Sequence, residues 1–468
     1  MPRTSRLIML FAAFLWTFVG SAVQNSALAQ NMLRDAEAEW FLRYLGTPFA
    51  EAAGLTPRAV NYFIIADPSL NAFVAAGQNI FINSGTIMTA GDVRELQGVL
   101  AHEMGHISGA HQARIMKEGG GPATMIALLS LLLGAAAIAA GSTDAGAGIL
   151  IGGQTIAQRT FLRYTRAMES SADQAAVKFL EATGVSGQGI LKFFDRIRDQ
   201  DLVGARFQDP YARTHPLTRD RVMRLRAQLE PSPYFADEPD PERQYWFLRI
   251  QAKLAGYLNP TEITLRQYPV ENKSIFARYA RVYAYDKAIE WEKAIAEAQS
   301  LVEDFPEDPY FEEILGQIYL ENGRVLEAVP HYRKANQLAP NMPLIMVGLG
   351  HAIVALENTT FDEEAIDILS RAVIIDRFNA LAWRQLGELY YRNGKEADSN
   401  LATAELFMLT RQYRQAMRQA QKAVKAFPEG SPKWLRAQDI LMFARTAIGP
   451  EGKKRSQGRK KRRKIGQQ

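Results

Sequence analysis

The 468-residue chain contains no cysteine. That absence excludes disulfides, cysteine-based zinc sites, thiol catalysis and anchoring through a lipidated cysteine. Histidine is scarce too, six in all, so a group of imidazoles stands out. A basic body is also missing. The formal net charge is +5, but Glu451–Gln468 hold nine Lys/Arg against one Glu, and Arg3 and Arg6 add two more. Removing that +8 tail and +2 leader leaves a body of −5. A nucleic-acid-binding domain would carry a basic face within its folded part, so no nucleic-acid partner is expected. Hydrophobic residues make up 47%, which excludes wholesale disorder. At about 100–200 residues per domain the length suits two or three domains.

Arg3 and Arg6 precede an uncharged apolar run, Leu7–Val19, and then Ala27-Leu28-Ala29. A positive segment, a short apolar block and an A-x-A site form the pattern of a secretory signal peptide, residues 1–29, cleaved near Ala29. Export without cysteine fits a bacterial periplasmic protein. Residues 30–230 mix helical patterns with one strand pair and read as the first folded domain. Pro231, Pro233, Pro239 and Pro241 mark a linker, and 231–272 are expected to link and connect. Residues 273–446 are helical throughout, and 447–468 form a basic tail expected to be solvated and disordered.

The helical half repeats every 34 residues. Pro306 and Pro340, Ala294 and Ala328, and Leu315-Gly316 and Leu349-Gly350 are each separated by 34. Small residues where paired helices cross, aromatics such as Tyr319 and Tyr332, and a closing proline form the tetratricopeptide pattern. About four repeats are expected, with a three-residue insertion near Asn358–Thr360. Such helix pairs stack into an array with a concave, partner-binding surface.

Residues 99–106 read Val-Leu-Ala-His-Glu-Met-Gly-His. His102 and His106 are four apart in a helical pattern, so both imidazoles leave one face, the spacing of two ligands to a tetrahedral Zn²⁺. Glu103 stands beside them, placed to take a proton from a zinc-bound water. A catalytic zinc needs a third protein ligand and an open position. His111 is one residue short of the three-histidine spacing and about 100° off around a continuing helix, so it is not expected to be a ligand. Glu169 and Asp173 are four apart in another helical stretch. Glu169 can supply the third ligand, and Asp173 can accept the second ring N–H of a zinc-bound histidine. His215, in Thr214-His215-Pro216, could donate to an oxyanion or fill the open position and keep the site latent. Upstream, Asn71-Ala72-Phe73-Val74-Ala75 and the residues to Asn83 read as two strands about a Gly77-Gln78-Asn79 turn, and an edge there could pair with an extended substrate.

Together, the N-A-F hairpin, the H-E-x-x-H helix, the E-x-x-x-D helix and the T-H-P loop resemble, over residues 60–230, the gluzincin peptidases that include the CaaX prenyl protease, HtpX and the mitochondrial peptidase Oma. The leader and the repeats resemble the BepA-like periplasmic subgroup. That resemblance implies an α+β zincin-like peptidase domain followed by an all-α repeat solenoid. It implies one Zn²⁺ per chain held by His102, His106 and Glu169, with Glu103 as general base and His215 as a regulatory or transition-state residue. It also implies work in outer-membrane protein assembly and the cleavage of unfolded or stalled envelope proteins. A chaperone or scaffold with a largely latent zinc site is the alternative. Gly119–Thr143 lacks charge, and 119–153 reads as an apolar helical hairpin that covers the cleft or touches a membrane, or as a span. The tail charge suits anionic lipid headgroups.

Overall fold

The strand pair at residues 72–83 is half of a four-stranded sheet in the computed structural model, which describes residues 32–75, 77–111, 113–114, 156–203, 211 and 215–465. The strands are β1 (Met32–Leu33), β2 (Asn61–Ile65), β3 (Ala72–Ala75) and β4 (Asn79–Asn83), in the order β1-β2-β4-β3. β3 and β4 pair antiparallel, as expected of a hairpin, while β2 runs parallel to β4. Alternation sorts the two faces. Tyr62, Ile64, Ala72, Val74, Ile80 and Ile82 enter the main core, while Phe73, Ala75 and Ile65 pack with Phe81 on the other side.

The inner face packs on helices α1 (Ala36–Ala52) and α3 (Val93–Ser108), the latter preceded by the short α2 (Ser84–Thr89). Asp92 caps α3 by accepting the Arg94 backbone N–H, an arrangement worth about 1 kcal/mol. Every residue of α3 from Val93 to Gly105 is buried, His102 and Glu103 included. Two helices flank it, α4 (Ile156–Ala182) and α5 (Gln188–Val203). α3 and α4 meet at Gly105, where a Cβ would fall 2.7 Å from the Ala172 carbonyl oxygen. Only glycine permits that approach, and it brings the histidine face of α3 onto the Glu169 and Asp173 face of α4.

Helix α6 (Arg219–Leu229) follows, then α7 (Pro241–Leu258). The sequence placed α7 in a connecting segment, whereas it packs within the first unit. Phe247, Ile250 and Leu254 join the core, and Gln251 donates to the carbonyls of Ile87 and Ala90 at 2.9 Å. Arg249 and Lys253 pair with the buried Glu37 of α1. The chain divides between Leu258 and Asn259.

The second unit opens with α8 (Thr261–Gln267) and continues as helix pairs: α9 (Ile275–Lys287) with α10 (Trp291–Asp304), α11 (Pro309–Glu321) with α12 (Val325–Leu338), α13 (Pro343–Ala355) with α14 (Asp362–Ile375), α15 (Ala380–Arg392) with α16 (Glu396–Leu409), and α17 (Tyr413–Ala426) with α18 (Pro432–Ile465). This is a tetratricopeptide-repeat array, with five pairs where the sequence suggested about four. Ala294 and Ala328, 34 apart, are both fully buried at their crossings. The loops 288–290, 322–324, 393–395 and 410–412 have three residues each and 356–361 has six, which is the three-residue insertion. The expected disordered tail differs from the structure: α18 continues to Ile465. Lys, Arg and Gln favour helix, and packed residues Ala437, Ile440 and Ala444 start it, so charge density argued for solvation but not against helix. Among the described residues no helix is long and apolar enough to cross a membrane. The leader and the apolar 119–153 stretch lie outside the described residues.

These five loops each hold one left-handed residue: Ile289, Gly323, Glu357, Gly394 and Arg411. Glycine takes that conformation freely, whereas a β-branched residue does not. Ile289, at φ 62° and 68% exposed, buries little in return. Ile289→Gly is expected to raise unfolding stability by about 0.5–1 kcal/mol in denaturant titration; a loss would show that its exposed side chain carries an unseen contact.

Candidate metal centre

The four-residue spacing on α3 turns His102 and His106 toward α4, and their Nε2 atoms lie 3.1 Å apart. Glu169 faces them from α4, with Oε2 at 3.4 Å from His102 Nε2 and Oε1 at 3.3 Å from His106 Nε2. His215 closes the group, its Nδ1 at 3.1 Å from both Glu169 oxygens and 3.3 Å from His102 Nε2. One ligand atom from each of the four lies within 4.8 Å of the others. The structure therefore gathers the expected ligands His102, His106 and Glu169 and puts His215 among them.

Glu103 is fully buried beside this group. Among the described residues neither of its carboxylate oxygens has a hydrogen-bond partner, and Oε1 stands 3.6 Å from His215 Nε2. Asp173 Oδ1 lies 3.0 Å from His102 Nδ1, the nitrogen turned away from the cluster. The expected substrate strand borders the centre: the Ala72 carbonyl of β3 lies 3.2 Å from His215 Nε2.

Burial presses on every charge here. At His102 it is overridden by Asp173 and Glu169, which push the imidazole up to about 9. At His106 burial prevails over Glu169 and the pKa falls. Burial opposes the Glu169 carboxylate, but His215 and His106 hold it well below the usual range. Imidazole nitrogens and a carboxylate converging in a buried space, with outward nitrogens anchored, match the donor chemistry of zinc.

Residues 36–229 match Peptidase family M48. That span contains the whole metal centre. The matched span lies within the N-terminal unit. The match and the relatives below support a protease enzyme. Relatives extend beyond this domain. The beta-barrel assembly-enhancing protease of Escherichia coli K12 is 23% identical over 82% of this chain and 78% of its own. The protein of that name in Yersinia pestis is 22% identical over 84% and 81%. Metalloprotease YcaL of Escherichia coli K12 is 26% identical over 47% of this chain and 83% of its own. Among solved structures, MamA matches 37% of this chain with a TM-score of 0.28, and the repeat fold here rests on the helix pairs instead.

The N-terminal unit also places residues at the centre that sequence reasoning missed. Arg221 of α6 is 6% exposed and donates from Nε and Nη2 to Asp173 at 2.6 and 2.8 Å. Its Nη1 meets Glu169 Oε2 at 2.9 Å and the Pro216 carbonyl at 3.3 Å. One guanidinium thus ties the candidate ligand, its neighbour and the His215 loop together. The signal was present: Arg221 shares the buried face of α6 with Leu225 and Leu229, at i, i+4 and i+8. Tyr211 stacks on His215, with ring centroids 4.4 Å apart. His111 was rejected as a ligand for lying off the helix face, but α3 ends at Ser108, so that rotation does not apply. The ring instead reaches His106 Nδ1, on the side away from the donor set, at 3.0 Å. Burial, with the nearby charges of His106 and Arg114, pushes His111 down to about 4.

Burial alone would raise the Asp173 carboxyl, but Arg221 and His102 hold it at about 2. A depressed carboxylate gives stability that is present above its unfolded value of 3.8 and lost as pH falls through about 2. Arg221→Met is expected to move acid unfolding to higher pH and to weaken metal binding about 10–100-fold. An unchanged acid midpoint, read by circular dichroism, would contradict the role given to this contact.

Proposed function

We propose that this protein is an exported zinc endopeptidase that cleaves unfolded or misassembled envelope proteins. One observation carries the reading: a buried Glu103 carboxylate without a hydrogen-bond partner among the described residues, next to two converging imidazoles and a carboxylate. Such a carboxylate is costly to bury unless something met only in function pairs with it. His102, His106 and Glu169 would hold one Zn²⁺. Zinc supplies polarisation of the scissile carbonyl and acidification of a water molecule. Glu103, buried beside these groups, would act as the general base that moves a proton between the attacking water and the leaving amine. Asp173 accepts the His102 Nδ1 proton and keeps Nε2 turned inward. Substrate backbone pairs along Asn71–Ala75, giving affinity with little sequence selectivity.

His215 stands inside the donor set rather than outside it, which favours the latent reading, since a side chain there would compete with a substrate carbonyl. His215→Ala is then expected to raise peptide cleavage while zinc content stays near one per chain. A fall in turnover at unchanged zinc content would instead assign His215 to transition-state stabilisation.

The leader directs the chain to the periplasm. The relatives named for enhancing beta-barrel assembly support a role in outer-membrane protein assembly and quality control. The repeat array recruits substrates or the assembly machinery, and the basic tail contacts anionic membrane surfaces. Glu103→Gln is expected to keep bound zinc and lose peptide cleavage on a casein substrate, by 10³-fold or more on the order of general-base contributions. Near-normal cleavage would sink the assignment. Full complementation of an envelope defect by the Glu103→Gln protein would favour the chaperone reading.

A further inference from the structure

His111 lies outside the converging donor set, yet three local features place it. α3 ends at Ser108 and is capped by Gly109. A Cβ at position 109 would fall 2.4 Å from His111 Nε2, so glycine leaves room for the ring. Ala110 has φ 50°, a left-handed conformation that an L side chain disfavours. Strain of this kind persists where the surroundings enforce it. The chain therefore doubles back. His111 becomes 2% exposed, and its ring meets that of His106 at an interplanar angle of 80°, centroids 5.0 Å apart.

The two Nδ1 atoms lie 3.0 Å apart, which requires one to donate and the other to accept. His106 Nε2 is turned to His102 and Glu169. For that Nε2 to bind a cation its lone pair must be free, which leaves the proton on Nδ1. In the opposite arrangement His111 donates, His106 carries its proton on Nε2, and that nitrogen is closed to metal. His102 has a carboxylate, Asp173, at its corresponding nitrogen. A carboxylate beside His106 would add negative charge to a region already holding Glu103, Glu169 and Asp173. A neutral imidazole accepts the proton without that charge.

We propose that His111 is a positioning residue for the metal centre: its Nδ1 accepts the Nδ1 proton of His106 and so holds His106 in the tautomer and orientation that present Nε2 to zinc. The proposal rests on the zinc reading above. It makes the two ligand histidines unequal, one anchored by a carboxylate and one by an imidazole.

The test is the dissociation constant of Zn²⁺ for the full chain, measured by chelator competition without substrate. His111→Ala is expected to weaken binding about 10–100-fold. His111→Gln, whose side-chain carbonyl can accept the same proton, should recover part of the loss. Added imidazole should recover part of it for His111→Ala, relative to wild type in the same imidazole. Gly109→Ala keeps the histidine but displaces its ring, and should weaken binding even if His111→Ala fails to fold. In the zinc-loaded wild type, ¹⁵N NMR should find the His106 Nδ1 protonated. Unchanged affinity in both variants, a loss that neither imidazole nor glutamine recovers, or an unprotonated His106 Nδ1 would overturn the proposal. A wild-type chain that takes up no zinc would instead refute the metal reading itself, before any variant is compared.

Discussion

The metal centre depends on how closely two helices approach. At the α3–α4 crossing, Gly105 lets the Ala172 backbone come where a side chain would stand. One extra methyl group there would push the histidine face away from Glu169. Donor atoms that now lie 3.3–3.4 Å apart would separate beyond the reach of one ion. A close-packed core cannot absorb such a shift locally, so the rest of the domain serves this approach. The sheet backs α3, α5 flanks it, and α7 seats on α1 and the residues just before α3 through Arg249, Lys253 and Gln251.

Much of this was legible in the residues. His102 and His106 share a face because 3.6 residues make a turn, and Glu169 and Asp173 do so for the same reason. The hairpin showed itself through alternation and a glycine turn. The repeats showed themselves through a 34-residue period whose one irregularity became a longer loop. What was not legible depended on where elements stop or on which neighbour lies opposite. β2 pairs parallel to β4, a long-range choice that Asn61–Ile65 does not announce. α3 stops at Ser108, and the left-handed Ala110 turns the chain back, so His111 reaches His106 rather than continuing around the helix. Arg221 resembled the other arginines of α6 until its burial singled it out. The terminal charges did not announce that helix would persist through them.

The centre is organised in shells of decreasing directness. The inner donors converge from three separate elements: α3, α4 and the loop before α6. Around them each outward nitrogen has a partner, and Arg221 joins two of the carboxylates to the loop that bears His215. This coupling gives His215 a fixed place among the donors.

The most direct measurement is a crystal structure of the full chain with anomalous diffraction recorded at the zinc edge. The account predicts one peak, at about 2.0–2.2 Å from His102 Nε2, His106 Nε2 and a Glu169 oxygen, with Glu103 close by but not bound. A zinc-loaded crystal with no peak there, or with Glu103 itself as a ligand, would contradict it.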